Sequence, residues 1–161
     1  MGMRGLTAVG VPPQPHWLLY IKVAVLVLAV IVIALAAWAM SLYNGGYPGG
    51  FAGGMDHFIA ILSFAVYGSA IGLEFAAPRF FYRIVYLVGY GLTVIFWLAA
   101  WAWSASSASA WISWSAQIGG ALAGCAALGA VAWILTMVHL ARFIRACTAD
   151  TVSSGQAPSG A

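Results

Sequence analysis

Four stretches of about twenty residues carry almost no charge. At about 1.5 Å per residue, a helix of that length crosses the roughly 30 Å hydrocarbon layer of a bilayer. The stretches are Val23–Leu42, Phe58–Ala77, Ile84 to about Ala105, and Gly119–Leu140. Their apolar residues run continuously, whereas the strands of a membrane barrel would alternate in polarity. In lipid, a helix also satisfies its backbone hydrogen bonds within itself. Composition agrees: the 161 residues are 64% hydrophobic and 6% charged, with mean hydropathy +0.99. A soluble domain carries about a quarter charged residues. The expected fold class is therefore all-α integral membrane, a four-transmembrane-helix bundle.

The few charges set the expected orientation. Arg4 and Lys22 precede the first run, Arg79 and Arg83 lie between the second and third, and Arg142 and Arg145 follow the fourth. With four spans, all of these places lie on one side. The positive-inside rule makes that side cytoplasmic and puts both termini there. Residues 1–16, rich in Gly and Pro, read as a flexible cytoplasmic tail. Residues 17–146 read as the transmembrane domain, and residues 147–161, small and polar, as a disordered cytoplasmic tail. Pro78 ends the second helix. "SSASAWISWSAQ", before Gly119, reads as a polar-aromatic connection between spans three and four. A net charge of +3 from so few basic residues excludes nucleic acid as a partner. The expected location is the plasma membrane or an endomembrane.

The glycine-rich stretch "SLYNGGYPGGFAGGMDHF" (Ser41–Phe58) invites comparison with a phosphate-binding loop. It lacks the lysine such a loop needs, and Asp56 would repel an anion. It reads as a flexible connection on the non-cytoplasmic side. Asp56 and His57 open the second span there. Glu74 is the acid within an apolar run, and intramembrane ionisable groups are functional candidates. Its place near the cytoplasmic surface favours an ion pair with Arg79, Arg83 or Arg142, with a transport role as the alternative. His57 and His139 stand at opposite membrane faces, so they cannot share a haem or a metal. Cys125 and Cys147 form no C-x-x-C, and Cys147, beside the membrane after Arg145, is a candidate for S-palmitoylation. The mid-membrane polar residues are Ser63, Tyr67, Ser69 and Thr93, too sparse for an evident ion path. No nucleophile–base pair or metal set converges, so neither an enzyme nor a cofactor is expected.

Small residues recur at helix-packing spacing: Gly68-x-x-x-Gly72, Gly120-x-x-x-Gly124, and Gly89 with Gly91. Such spacings let helix backbones approach closely, within one bundle or between copies. Trp38, Trp101, Trp103, Trp111 and Trp114 are expected at the outer lipid interface, with Trp17 and Tyr20 at the inner one. Leu18–Lys22, "LLYIK", matches a loose sterol-contact pattern.

Two stretches carry a resemblance: "YRIVYLVGYGLTVIFWLAAWAW" (Tyr82–Trp103) and "AGCAALGAVAWILTMVHLARFIR" (Ala123–Arg145). An aromatic-rich third span leads through a short loop to a small-residue-rich fourth span with a basic tail. This layout, over about residues 17–146, resembles MARVEL-domain tetraspan proteins, in particular short fungal-type members. The resemblance implies cytoplasmic termini and a non-enzymatic role in membrane domains, apposition or vesicle traffic. Membrane lipids, a second copy or another membrane protein would be the partners. The rival readings are a small channel or transporter, and an accessory subunit of a larger membrane complex.

Overall fold

The structure, a computed structural model, describes residues 8–42 and 51–154, with the side chains of 51–53 and 150–154 left undescribed. The expectations for residues 1–7, for 43–50 of the glycine-rich connection, and for 155–161 lie outside the described residues.

The chain is built of helices: α1 (Trp17–Ser41), α2 (Phe51–Ser63), a π-helical turn (Phe64–Gly68), α3 (Ser69–Ala76), a 3-10 turn (Pro78–Phe80), α4 (Arg83–Trp111) and α5 (Ala116–Ser154). The π turn joins α2 to α3, and together they make the second span. Among the described residues, four helical segments are long and apolar enough to cross a membrane: Trp17–Ser41, Gly54–Ala76, Arg83–Trp111 and Ala116–Ala149. The spans form a closed ring: α1 borders α2 and α5, and α4 borders the same two. Short connections make sequential helices antiparallel neighbours, which gives an up-down-up-down bundle. The starts of α1 and α4 and the ends of α3 and α5 therefore share one end, called here the basic end after its residues.

Hydropathy is high on every face of these helices, so it does not show which side turns inward. The buried positions do. On α1 they are Leu18, Lys22, Val25, Ala29, Val32, Ala36 and Ala39, at alternating steps of four and three. On α4 they are Arg83, Tyr86, Tyr90, Thr93, Trp97, Ala100, Ser104 and Ala108. A period near 3.5 keeps one seam facing its neighbours, as left-handed helix packing requires. The outer faces carry exposed Val27, Val30, Ile61, Val88, Ile95 and Ile134. The outer faces are thus aliphatic, as lipid favours, and Lys22, Arg83, Thr93 and Ser104 lie inward among apolar neighbours.

All four spans run further than expected: α1 starts at Trp17 rather than Val23, and α2 at Phe51 rather than Phe58, so the last part of the glycine-rich stretch is helical. Helix α4 continues through "SSASA" to Trp111, about two more turns beyond Ala105. The connection to α5 shrinks to residues 112–115. Helix α5 passes Leu140 by about four turns to Ser154, so residues 147–154, expected to be disordered, are helical. Serine and alanine tolerate a helix when its register is already set by the turns before them.

The N-terminal tail also differs from its expectation. Residues 8–15 lie as a strap over the turn between α3 and α4. Val9 bridges Tyr82, and the Gly10 N–H donates to the Phe81 carbonyl at 2.8 Å. The Arg83 Nε–H donates to the Gly10 carbonyl at 2.8 Å. Gly10 has φ +104°, a conformation only glycine adopts at little cost. Val11 packs into the basic-end core.

The glycines divide by use. A Cβ at Gly119 would lie 2.7 Å from the Ile112 Cα, at Gly129 2.9 Å from the Trp101 Cβ, and at Gly89 3.1 Å from Val66. These three hold neighbouring segments close. At Gly68, Gly72 and Gly120 a Cβ would meet nothing within 4 Å, and at Gly124 only Leu35, at 3.3 Å. Gly119→Ala should therefore lower thermal stability in detergent. Gly120→Ala should leave it unchanged or raise it by up to about 1 kcal/mol through helix propensity. Equal effects from the two variants would contradict this division.

Candidate functional site

Two features stand out: a polar cluster inside the basic half of the bundle, and the open glycine face of the second span.

The cluster begins with an ion pair. Lys22 on α1, 1% exposed, binds Glu74 on α3 through Nζ and Oε1. The partner expected for Glu74 was an arginine, and the base found is Lys22. The three arginines are engaged elsewhere. Arg79 lies over the Phe80 ring at 4.9 Å, Arg142 over the Trp17 ring at 5.4 Å, and Arg83 donates to the strap. The physical reason is the heptad seam. It turns Lys22 inward, level with Glu74 on the adjoining helix, and a buried ammonium needs a counter-charge.

Deeper in, three rings meet. Tyr67, on the π turn, lies 5.1 Å from Tyr90 and 5.3 Å from His139, centroid to centroid, and Tyr90 lies 4.5 Å from His139. All three residues are 0% exposed. The Tyr90 hydroxyl and both His139 ring nitrogens have no hydrogen-bond partner within the chain, and the Tyr67 hydroxyl, close to Thr93, makes no bond of good geometry. Phe143 packs 5.2 Å from Tyr90, and Tyr86 stacks on Phe81 at 4.2 Å and donates to Ser69 Oγ at 3.1 Å. Ser69 Oγ in turn donates to the Ala65 carbonyl at 2.5 Å. The sequence places His139 at the membrane face opposite His57, at the inner end of the fourth span. Because α5 continues to Ser154, His139 lies well within the helix.

Above this nest the interior is mostly apolar, and among the described residues its unpartnered polar groups are the Trp101 and Trp133 indole N–H. The Trp97 Nε1–H donates to Ser63 Oγ at 3.1 Å. Beyond it come Ala29, Val32, Ala36, Ile59, Ala60, Ala100, Cys125 and Ala132 in one apolar layer. At the far end Asp56, 1% exposed, accepts from Ser104 Oγ at 3.0 Å. The two polar clusters are thus separated by packed side chains.

The other expected site residues fall into place as follows. Trp17, Tyr20, Trp38, Trp103 and Trp114 are exposed, as an interfacial role requires. Trp101 instead packs between helices, 6.1 Å from Trp133 and against Gly129, and Trp111 packs on Ala108, Ile118 and Leu122. Both were expected at the lipid interface. The length of α4 and its seam turn them toward α5. The Leu18–Lys22 pattern is split, with Tyr20 outward and Lys22 inward. Cys147 is 0% exposed among Phe81, Tyr86 and Phe143, so its thiol does not face a modifying enzyme. Among the described residues no group of three His, Cys, Asp or Glu could hold a metal.

On the outer side, Gly68 is half-buried and Gly72 exposed, and exposed Ala76 continues the same four-residue spacing. Ala65 and Ser69 flank the stripe and are also exposed.

In comparisons with known proteins, no family model, no curated sequence and no solved structure matches this chain.

Breaking a buried ion pair by removing one partner costs about 3–5 kcal/mol, while removing both charges together costs far less. Glu74→Gln should therefore lower thermal stability sharply, and Lys22→Met combined with Glu74→Gln should recover most of the loss. Additive losses in the double variant would show that the pair does not act as a unit. For Cys147, maleimide should react slowly in folded protein and rapidly after denaturation in SDS, and fast labelling of the native chain would refute its burial.

Proposed function

We propose that this chain is a non-enzymatic membrane organiser that associates laterally with copies of itself through the glycine face of its second span. The observation that carries this reading is the open stripe at Gly68 and Gly72, where an added Cβ would touch nothing in the chain. The close helix contacts inside the bundle are made at Gly89, Gly119 and Gly129. Glycines at four-residue spacing that serve no internal contact leave backbone open for another helix to approach. The exposed Trp17, Tyr20, Trp38, Trp103 and Trp114 would anchor each copy at the two lipid interfaces. In this reading the basic end is cytoplasmic, as the charge distribution favours. The organising role in membrane domains, apposition or traffic follows the resemblance to MARVEL-domain proteins.

The channel reading has less support. Glu74 and Tyr67 would line its path, and both lie in the basic half beneath the apolar layer. An accessory-subunit role would use the same glycine face, with a different protein against it.

The test is native mass spectrometry of protein released from nanodiscs, alongside Gly68→Leu and Gly72→Leu. The wild-type chain should give a defined oligomer. Each variant should weaken association by about tenfold, equivalent to about 1.4 kcal/mol. An unchanged oligomer in both variants would sink the proposal, and a different bound protein would favour the accessory subunit.

A further inference from the structure

The nest of Tyr67, Tyr90 and His139 is unusual for a packed interior. Buried polar groups nearly always have a hydrogen-bond partner, and each one without costs free energy. Here four such atoms, two phenolic oxygens and both nitrogens of one imidazole, come together on three rings in mutual contact. Tyr67 also sits on a π-helical turn, a local irregularity found most often at functional sites.

The chemistry of the nest defines its guest. Each phenol can donate and accept, and a neutral imidazole has one donor and one acceptor. The nest therefore offers donors and acceptors in equal measure. An anion would satisfy only the donors, and a cation only the acceptors. The nearest charges, Lys22 and Glu74, neutralise each other. The rings are in mutual contact, with centroids 4.5 to 5.3 Å apart, which limits any guest to a few atoms. A water molecule, with two donors and two acceptors, fits this set. Buried waters typically make about three hydrogen bonds to groups that would otherwise have none.

Water reaches the ion pair from the basic end. At the basic end a cleft of about 240 Å³ is lined by Gln14, His16, Leu18, Lys22, Glu74 and Phe75, among others. The ion pair forms part of its wall. Val25, on the same seam of α1 as Lys22, and Leu73, next to Glu74 in sequence, pack in one cluster with Tyr67 and Tyr90. The strap of residues 8–15 supplies the cleft's outer rim through Val11, Pro12, Gln14 and Pro15. On the other side, Trp97 and the apolar layer close the path.

We propose that Tyr67, Tyr90 and His139 form a buried hydration site, filled with water from the basic end past the Lys22–Glu74 pair and closed toward the far end by Trp97. The second span's π turn sets Tyr67 into it. The site makes the lower half of the bundle a dead-ended polar vestibule.

Radiolytic hydroxyl-radical labelling in nanodiscs tests this directly, because radicals born from a buried water oxidise the side chains beside it. Tyr67, Tyr90 and His139 should be labelled about tenfold faster than Trp97, which is equally buried, after correction for intrinsic reactivity. Protection equal to that of Trp97 would overturn the proposal. Rapid labelling of Trp97 along with the nest would overturn the dead end and favour the channel reading. Tyr67→Phe and Tyr90→Phe provide a second readout of opposite sign. If the hydroxyls bind water, each variant should lower Tm by about 2–4 °C. If they are dry, removing an unpartnered hydroxyl should raise it, which would also overturn the proposal.

Discussion

Hydrocarbon offers no hydrogen bonds, so polar side chains within these four helices are favoured where they meet one another inside the bundle. That preference organises the molecule more than apolar attraction does, because lipid tails are as apolar as leucine. Lys22 shows it most clearly. The residue lies on the interior seam of α1, and Glu74 on the neighbouring helix is the counter-charge that allows it to stay there. The same rule brings Ser63 to Trp97, Asp56 to Ser104, and Tyr86 to Ser69. Each pair joins two different spans. Three of these pairs join the second and third spans and one joins the first and second, so they set the depth at which those spans meet.

Backbone approach is the second organising element. Gly119 lets α5 turn back tightly against the end of α4, and Gly129 admits Trp101. Gly89 lies against Val66 of the π turn. These contacts allow the third and fourth spans to pack along most of their length. At Gly68 and Gly72, by contrast, an added Cβ would meet nothing inside the chain. The basic end is tied in a further way. The strap crosses the turn between α3 and α4, and Arg83 fastens it by donating to the Gly10 carbonyl. Arg142 then spans from α5 to Trp17 at the start of α1. The arginines expected to neutralise Glu74 instead brace the ends of the helices.

The two interior polar clusters differ in completeness. At the far end Asp56 has its hydroxyl donor. In the basic half, the three rings of the nest retain unused donors and acceptors beside a neutral ion pair. The contrast locates the part of the interior that is suited to a polar guest. It also separates the two proposals, since one concerns the outer face of the second span and the other its inner face.

The four spans, their helical state and the gathering of basic residues at one end were legible in the sequence. Length, continuous hydropathy and charge position are properties of the chain itself, and a bilayer reads them one segment at a time. The intramembrane acid was legible too, since one charge in an apolar run needs no fold to be noticed. What surrounds each residue was not. With every helix apolar on all sides, hydropathy carried no information about which face turned inward, so Lys22, Tyr90, Trp97 and His139 could not be assigned to the interior. The partner of Glu74, the burial of Cys147 and the packing of Trp101 depend on helix rotation and depth. So does the division of the glycines between those that touch a neighbour and those that do not. Those quantities are set only when four helices share one seam, because a side chain's partner lies on a different segment and no local pattern records it.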